Sequence, residues 1–244
     1  MLARLPGTYR AQDDTRLLAG VVTSSGLARG RRVLDVATGG GAIAIAAAKA
    51  GAGSVTAVDL SARSVLTARL NSLLNGVRVD VRRGDLFAPV AGQQFDLVLA
   101  NPPYVPAPDG VLPRHRIGRC WDAGTDGRAV LDRICAEAPR VLADDGVLVL
   151  THSAVSGADL TLDRLRDAGM DAAVVARARV PFGPVMRSRA ALLAAQGLIE
   201  PGQQDEELVV VQARLLTAAR AGDPAAAGQA TGGAPSDESR LRAA

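Results

Sequence analysis

The chain has 244 residues, 48% of them hydrophobic but only 2% aromatic, so a domain-sized core must be built from Val, Leu, Ile and Ala. A formal net charge of +3, with arginines scattered among acids, gives no basic face for nucleic acid. Two cysteines and two histidines are too few and too dispersed for a zinc cluster or a disulfide framework, so no metal site is expected. The first residues lack the apolar centre of a secretory signal, and no apolar run approaches the ~18 residues of a membrane span, so a cytoplasmic protein is expected.

In chain order, residues 13–28 read as a helix whose first-turn acids suit its dipole. Residues 32–37 form a short strand, Thr38-Gly39-Gly40-Gly41 a tight turn, and residues 42–50 a small-residue helix. A second strand at 55–59 leads to a helix capped by Ser61 that runs through Leu74 and ends at Asn75-Gly76. Strands follow at 77–83 and 95–100, then an irregular segment at 101–124 and a helix at 125–142. Asp145-Gly146 turns into a strand at 147–150; a helix near 158–168 and a strand near 171–179 come next. Residues 181–205 are less regular, with a helix from 187 to 196, and 207–215 is the final strand. Strands alternating with helices through short turns imply a parallel sheet covered on both faces. Residues 1–30 are thus a helical N-terminal segment, 31–216 the main domain with 181–205 as an insertion, and 217–244 a tail too poor in large apolar groups to order itself.

The turn at residues 38–41 sits between a strand and a helix, where glycines let backbone amides approach a ligand. Alone it is weak evidence. Asp59 sharpens it, because an acid about 20 residues on, ending the second strand, is placed to accept ribose hydroxyls. Gly84-Asp85-Leu86 then follows the third strand, so successive strand ends each carry an acid, Asp35, Asp59 and Asp85. Capping alone does not explain three in series.

The fourth strand ends in Asn101-Pro102-Pro103-Tyr104. Two prolines fix the backbone and donate nothing to a ladder, so this strand end is stiff. Ligands of open α/β sheets bind at such ends. An amide, a rigid carbonyl and an aromatic face make a receptor for a planar NH₂ group.

Together these motifs resemble class I S-adenosylmethionine-dependent methyltransferases, and within them the HemK-type family that methylates glutamine nitrogen in release factors. The resemblance covers roughly residues 8–180. Tyr9, Asp13-Asp14-Thr15 and Leu17-Leu18 resemble the N-terminal segment of the family's short branch, which lacks the helical domain of the bacterial release-factor enzymes. Trp121, Gly124, Gly127-Arg128 and residues 130–133 resemble the segment that branch carries after the Asn-Pro-Pro-Tyr motif. The resemblance implies an α/β fold with a doubly wound, mostly parallel, Rossmann-like seven-stranded sheet whose last strand is antiparallel. It also implies that Asp35, Ala37, Gly39 and Gly41 line the methionine part of the cofactor, with Thr15 nearby. Asp59 would bind the ribose, Asp85 with Leu86 the adenine, and Asn101 both methyl donor and acceptor. Ala37 stands where the family has its first glycine. Some members of the short branch work with a small zinc-binding activator protein.

An amide nitrogen is a poor nucleophile and must be held in line with the sulfonium methyl. Asn101 Oδ1 and the Pro102 carbonyl can accept its two hydrogens, and Tyr104 can pack on the amide plane. The leading expectation is therefore a protein glutamine N-methyltransferase with a release-factor-like substrate. Methylation of an exocyclic amine of adenine or guanine uses the same chemistry and is the alternative, although the chain shows no aromatic-rich face for a flipped base. A non-catalytic cofactor-binding module is the third. Trp121 reads as a packing residue, and His115, His152 and the arginines at 114, 116 and 119 as structural or surface groups.

Overall fold

Seven strands and six helices are arranged in the order α1 (Asp13–Ser24), β1 (Arg32–Val36), α2 (Ala42–Lys49), β2 (Ser54–Asp59), α3 (Ala62–Leu74), β3 (Asp80–Arg83), β4 (Phe95–Ala100), α4 (Leu131–Val141), β5 (Leu142–Ser153), α5 (Ala158–Asp167), β6 (Met170–Pro181), α6 (Pro184–Ala195) and β7 (Asp205–Leu215) in a computed structural model that describes residues 2–3, 5–107 and 121–216. The arginines at 114, 116 and 119, His115, Cys120 and the tail at 217–244 lie outside the described residues. The strands form one sheet in the order β3-β2-β1-β4-β5-β7-β6. β7 is antiparallel to both its neighbours, and every other observed pairing is parallel. The expected doubly wound sheet with its reversed last strand is therefore present.

Strand side chains alternate between two buried faces, as period-two geometry requires. Leu34, Val36, Val98, Leu148 and Val211 pack on one face with Leu131, Ile134 and Leu165 from α4 and α5. Val33, Leu97, Leu99, Val149 and Val210 pack on the other with Leu18, Val22, Ile43 and Val65 from α1, α2 and α3. Each such side chain contributes about 1.5–3 kcal/mol on leaving water. The strand order reverses between β1 and β4, so the carboxyl ends of β1, β2, β3 and β4 open onto one crevice. At the far edge of the sheet α3 leaves Leu66, Leu73 and Leu74 exposed.

Several boundaries differ from the sequence expectation, each for a local reason. α1 stops at Ser24, before Gly26 takes a left-handed φ of 68°. β3 is shorter than 77–83 because only Asp80–Arg83 pair with β2, opposite Thr56–Asp59. β5 extends from Leu142 through the Asp145-Gly146 turn, with a register shift opposite Phe95 and Leu97 absorbing the extra residues. α4 begins at Leu131, well after residue 125, because the chain before it must pass close to the Tyr104 backbone. A Cβ on Gly127, whose φ is 76°, would lie 2.2 Å from the Tyr104 carbonyl oxygen. α6 starts at Pro184, with proline in its favoured first turn.

Residues 181–205 are built onto the site rather than looped away from it. Phe182, Met186, Leu193 and Ile199 form a satellite cluster with Val105, and Tyr104 and Trp121 pack against it. Arg189 fastens α6 down, donating to the Pro106 carbonyl at 2.8 Å and to Asp122 at 2.5 Å.

Arg128 performs the same service on the opposite side. Its guanidinium is buried and donates to the Ser156 and Gly157 carbonyls, to Thr161 Oγ1 at 3.1 Å and to Asp132 at 2.7 Å. Ser156 Oγ in turn donates to the Tyr104 carbonyl at 2.8 Å. Replacing Arg128 by Met strands several buried acceptors together. We expect Arg128→Met to lose about 3 kcal/mol in urea unfolding, the scale for breaking a buried, hydrogen-bonded charge; a loss below about 1 kcal/mol would contradict this role.

Candidate active site

A cleft of about 1240 Å³ lies along the carboxyl ends of the strands. That exceeds the ~300–1,000 Å³ of a pocket for one small ligand. Ala37, Gly39, Asp59, Asp85 and Leu86 line one part of it, and Tyr104, Trp121, Phe182, Met186 and Glu206 another. Asn101 and Pro102 line it as well.

The glycine turn is shaped by unusual backbone angles. Ala37 has φ 58°, Gly39 φ 54° and Gly41 φ 83°. Left-handed geometry costs an L-residue about 1–2 kcal/mol, which is the physical reason a glycine is at home at the Ala37 position. Leu86 is held in the same region at φ 42°, so two of the residues expected at the cofactor are strained. Asp59 is oriented by backbone amides, with Gly39 N–H donating to Oδ2 and Ser61 N–H to Oδ1, each at 2.8 Å.

Three of the expected residues do not line the cleft. Asp35 is buried and faces inward, accepting from Thr38 Oγ1 at 2.5 Å and from the Ala44 N–H at 2.9 Å. It clamps the turn to the start of α2. Gly41 is needed for packing, since a Cβ there would meet Ala68 Cβ at 3.1 Å. Thr15 is buried against Asn101, whose Nδ2 donates to Thr15 Oγ1 at 3.2 Å. Asp85 lines the cleft but holds Arg133 in a two-pronged ion pair at 3.0 and 3.2 Å. An incoming amine must therefore share that carboxylate.

The principal residue missed from the sequence is Asp14. Its buried carboxylate accepts from Tyr9 Oη at 2.6 Å, Tyr104 Oη at 3.1 Å, the Thr15 N–H at 2.5 Å and Thr15 Oγ1 at 3.1 Å. The signal was present: Asp14 falls four residues before Leu18 and eight before Val22, on the buried stripe of α1. An acid on that stripe has to be spoken for. Burial and the neighbouring Asp14 charge push the Tyr104 hydroxyl above its ordinary value, so it stays a donor. Trp121 both packs on the satellite cluster and lines the cleft, so the packing expectation was incomplete. His152 is buried with Nδ1 2.8 Å from the Ser153 carbonyl, and burial lowers it to about 4, leaving a neutral structural ring.

A glycine turn, an oriented acid on the second strand and a rigid amide-bearing end on the fourth define a class I methyltransferase cleft. Residues 7–110 match the model of the methyltransferase small domain. A Methanocaldococcus jannaschii protein named as a protein N5-glutamine methyltransferase is 34% identical over 74% of this chain and 90% of its own length. The release factor glutamine methyltransferase of Gloeobacter violaceus is 39% identical over 52% of the chain, but that match spans only 48% of the relative. The Mtq2–Trm112 complex of E. cuniculi superposes with a TM-score of 0.61 at 21% identity, covering 86% of this chain and 99% of that one, which speaks to the fold. The chain belongs to the protein glutamine methyltransferase family.

Asp35 gives the site a pH dependence. Burial raises its carboxyl from 3.8 to about 7, with the nearby Asp59 charge adding to the shift and the two hydrogen bonds opposing it. Between those values the folded chain holds a proton that the unfolded chain has released, so this stabilisation is complete below the lower value and lost as pH rises through the higher. The stability difference between wild type and Asp35→Asn should therefore fall between about pH 4 and about pH 7. Urea unfolding across that window measures it, and a flat difference would show that Asp35 is ionised throughout.

Proposed function

We propose that this methyltransferase uses S-adenosylmethionine to methylate the side-chain amide nitrogen of a glutamine in a protein substrate of the release-factor type. Ala37, Gly39 and Leu86, with Asp59 and Asp85, are the residues that would hold the cofactor, and the amide-oriented carboxylate of Asp59 suits a ribose diol. When bound, S-adenosylmethionine supplies an electrophilic sulfonium methyl. The observation that carries the reading is the fixed orientation of Asn101. Its Nδ2 is committed to Thr15 Oγ1, and that hydroxyl donates its own proton to Asp14. Oδ1 is thereby the Asn101 atom left to accept from a substrate.

A planar carboxamide needs two acceptors set rigidly apart, and Asn101 Oδ1 with the Pro102 carbonyl meets that need. Tyr104 is anchored at both ends, by its hydroxyl on Asp14 and its carbonyl on Ser156, so its ring is a fixed wall. Positioning of this kind lowers a barrier by up to ~7–11 kcal/mol without a strong base. No helix of the described residues is long and apolar enough to cross a membrane.

Incubation with labelled cofactor and, separately, release factor, RNA and DNA tests the acceptor class. Label in release factor at a glutamine supports the proposal; label in nucleic acid alone overturns it. Asn101→Ala should keep cofactor affinity within about twofold and lose at least ~100-fold in turnover, the scale for removing one preorganised polar contact. Near-normal turnover would remove Asn101 from the mechanism.

A further inference from the structure

Outside the groups already assigned, one side chain in the cleft stands out. Glu206, the second residue of β7, is 6% exposed yet lines the cleft beside Tyr104. Its Oε2 is buried and has no hydrogen-bond partner, and of the few such atoms among the described residues it alone belongs to a cleft-lining residue. The other acids nearby are engaged. Asp14 holds Tyr9, Tyr104 and Thr15, and Asp122 holds Arg189.

The fold keeps Glu206 in place. Glu206, Leu208 and Val210 share one face of β7, and Val210 packs into the core beneath α1 and α2. Burial raises the Glu206 carboxyl, the Ser153 hydroxyl opposes that and the Asp14 charge adds to it, while Ser153 Oγ accepts from the Val155 N–H at 3.3 Å. Oε2 has no donor. Burying a carboxylate oxygen without a donor is costly. Nothing in the packing repays that cost. The cleft wall also includes the apolar side chains of Val105, Trp121, Phe182, Val185 and Met186.

We propose that the Glu206 carboxylate is a substrate contact that accepts a main-chain N–H of the acceptor protein next to the target glutamine. This rests on the protein-substrate reading of the preceding section. The two hydrogens of the target carboxamide already have acceptors in Asn101 and Pro102. Glu206 would grip the peptide to which that carboxamide belongs. A neutral backbone donor fits an enclosed apolar wall, where a cationic side chain would shed most of its hydration.

The test is steady-state methylation of release factor by wild type, Glu206→Gln and Glu206→Leu, together with cofactor affinity and melting temperature. The contact predicts that Glu206→Leu raises KM for release factor at least tenfold, with turnover and cofactor affinity within about threefold of wild type and a melting temperature no lower. Glu206→Gln, which keeps an acceptor oxygen but loses the charge, should fall between them. A purely structural role would instead lower the melting temperature and leave KM alone. Unchanged KM in both variants, with active wild type, overturns the contact but not the enzyme's function. Failure of the wild type to methylate any protein overturns both.

Discussion

Everything at the acceptor end depends on one buried carboxylate. Asp14 sits on the first helix, yet its oxygens gather the hydroxyls of Tyr9 and Tyr104 and the amide and hydroxyl of Thr15. Each of those hydrogen bonds offsets part of the cost of burying the carboxylate. Their larger effect is geometric. Asp14 accepts from Thr15 Oγ1, and Thr15 Oγ1 in turn accepts from Asn101 Nδ2, which fixes how that amide is turned. An acceptor on the first helix thus sets the orientation of an amide two hydrogen bonds away.

The glycine turn and the acceptor wall illustrate a different economy. Ala37 and Leu86 occupy left-handed backbone, Asp35 is buried with its carboxyl raised, and Glu206 carries an unfilled oxygen. None of these choices favours folding. They are tolerated because two aliphatic cores sandwich the sheet, and Arg128 and Arg189 brace the segments that hold Tyr104 and Trp121. Strain is concentrated at the crevice and stability comes from beneath it.

Much of this was legible in the residues. Alternating strands and helices, the strand-end acids and the Asn-Pro-Pro-Tyr segment all carry local signals, since each depends on periodicity or on the stereochemistry of a few neighbours, whereas the reversed last strand came from the family resemblance. What escaped depends on contacts distant in sequence. Asp35 and Gly41 stand in a cofactor motif, yet their side-chain positions serve the turn and the α2–α3 packing. Asp14 read as a dipole acid because its partner Tyr104 lies 90 residues away. Residues 181–205 carried no motif, and only their docking against Val105 gives them a place at the cleft. Glu206 offered a faint clue, an acid on the face of β7 that also bears Leu208 and Val210.

The placement of β7 between β5 and β6 also orders events in time. β6 has β7 as its sheet neighbour, so it has no ladder to join until the last strand has been made. The cleft is lined in part by Asp14 from the first helix, Tyr104 after the fourth strand, Met186 from α6 and Glu206 from this final strand. During synthesis, at ~5–20 residues per second, the cofactor half of the sheet can close around local contacts well before the acceptor half exists. A growing chain therefore lacks the β7 contribution to the cleft until nearly all of Asp205–Leu215 has been made.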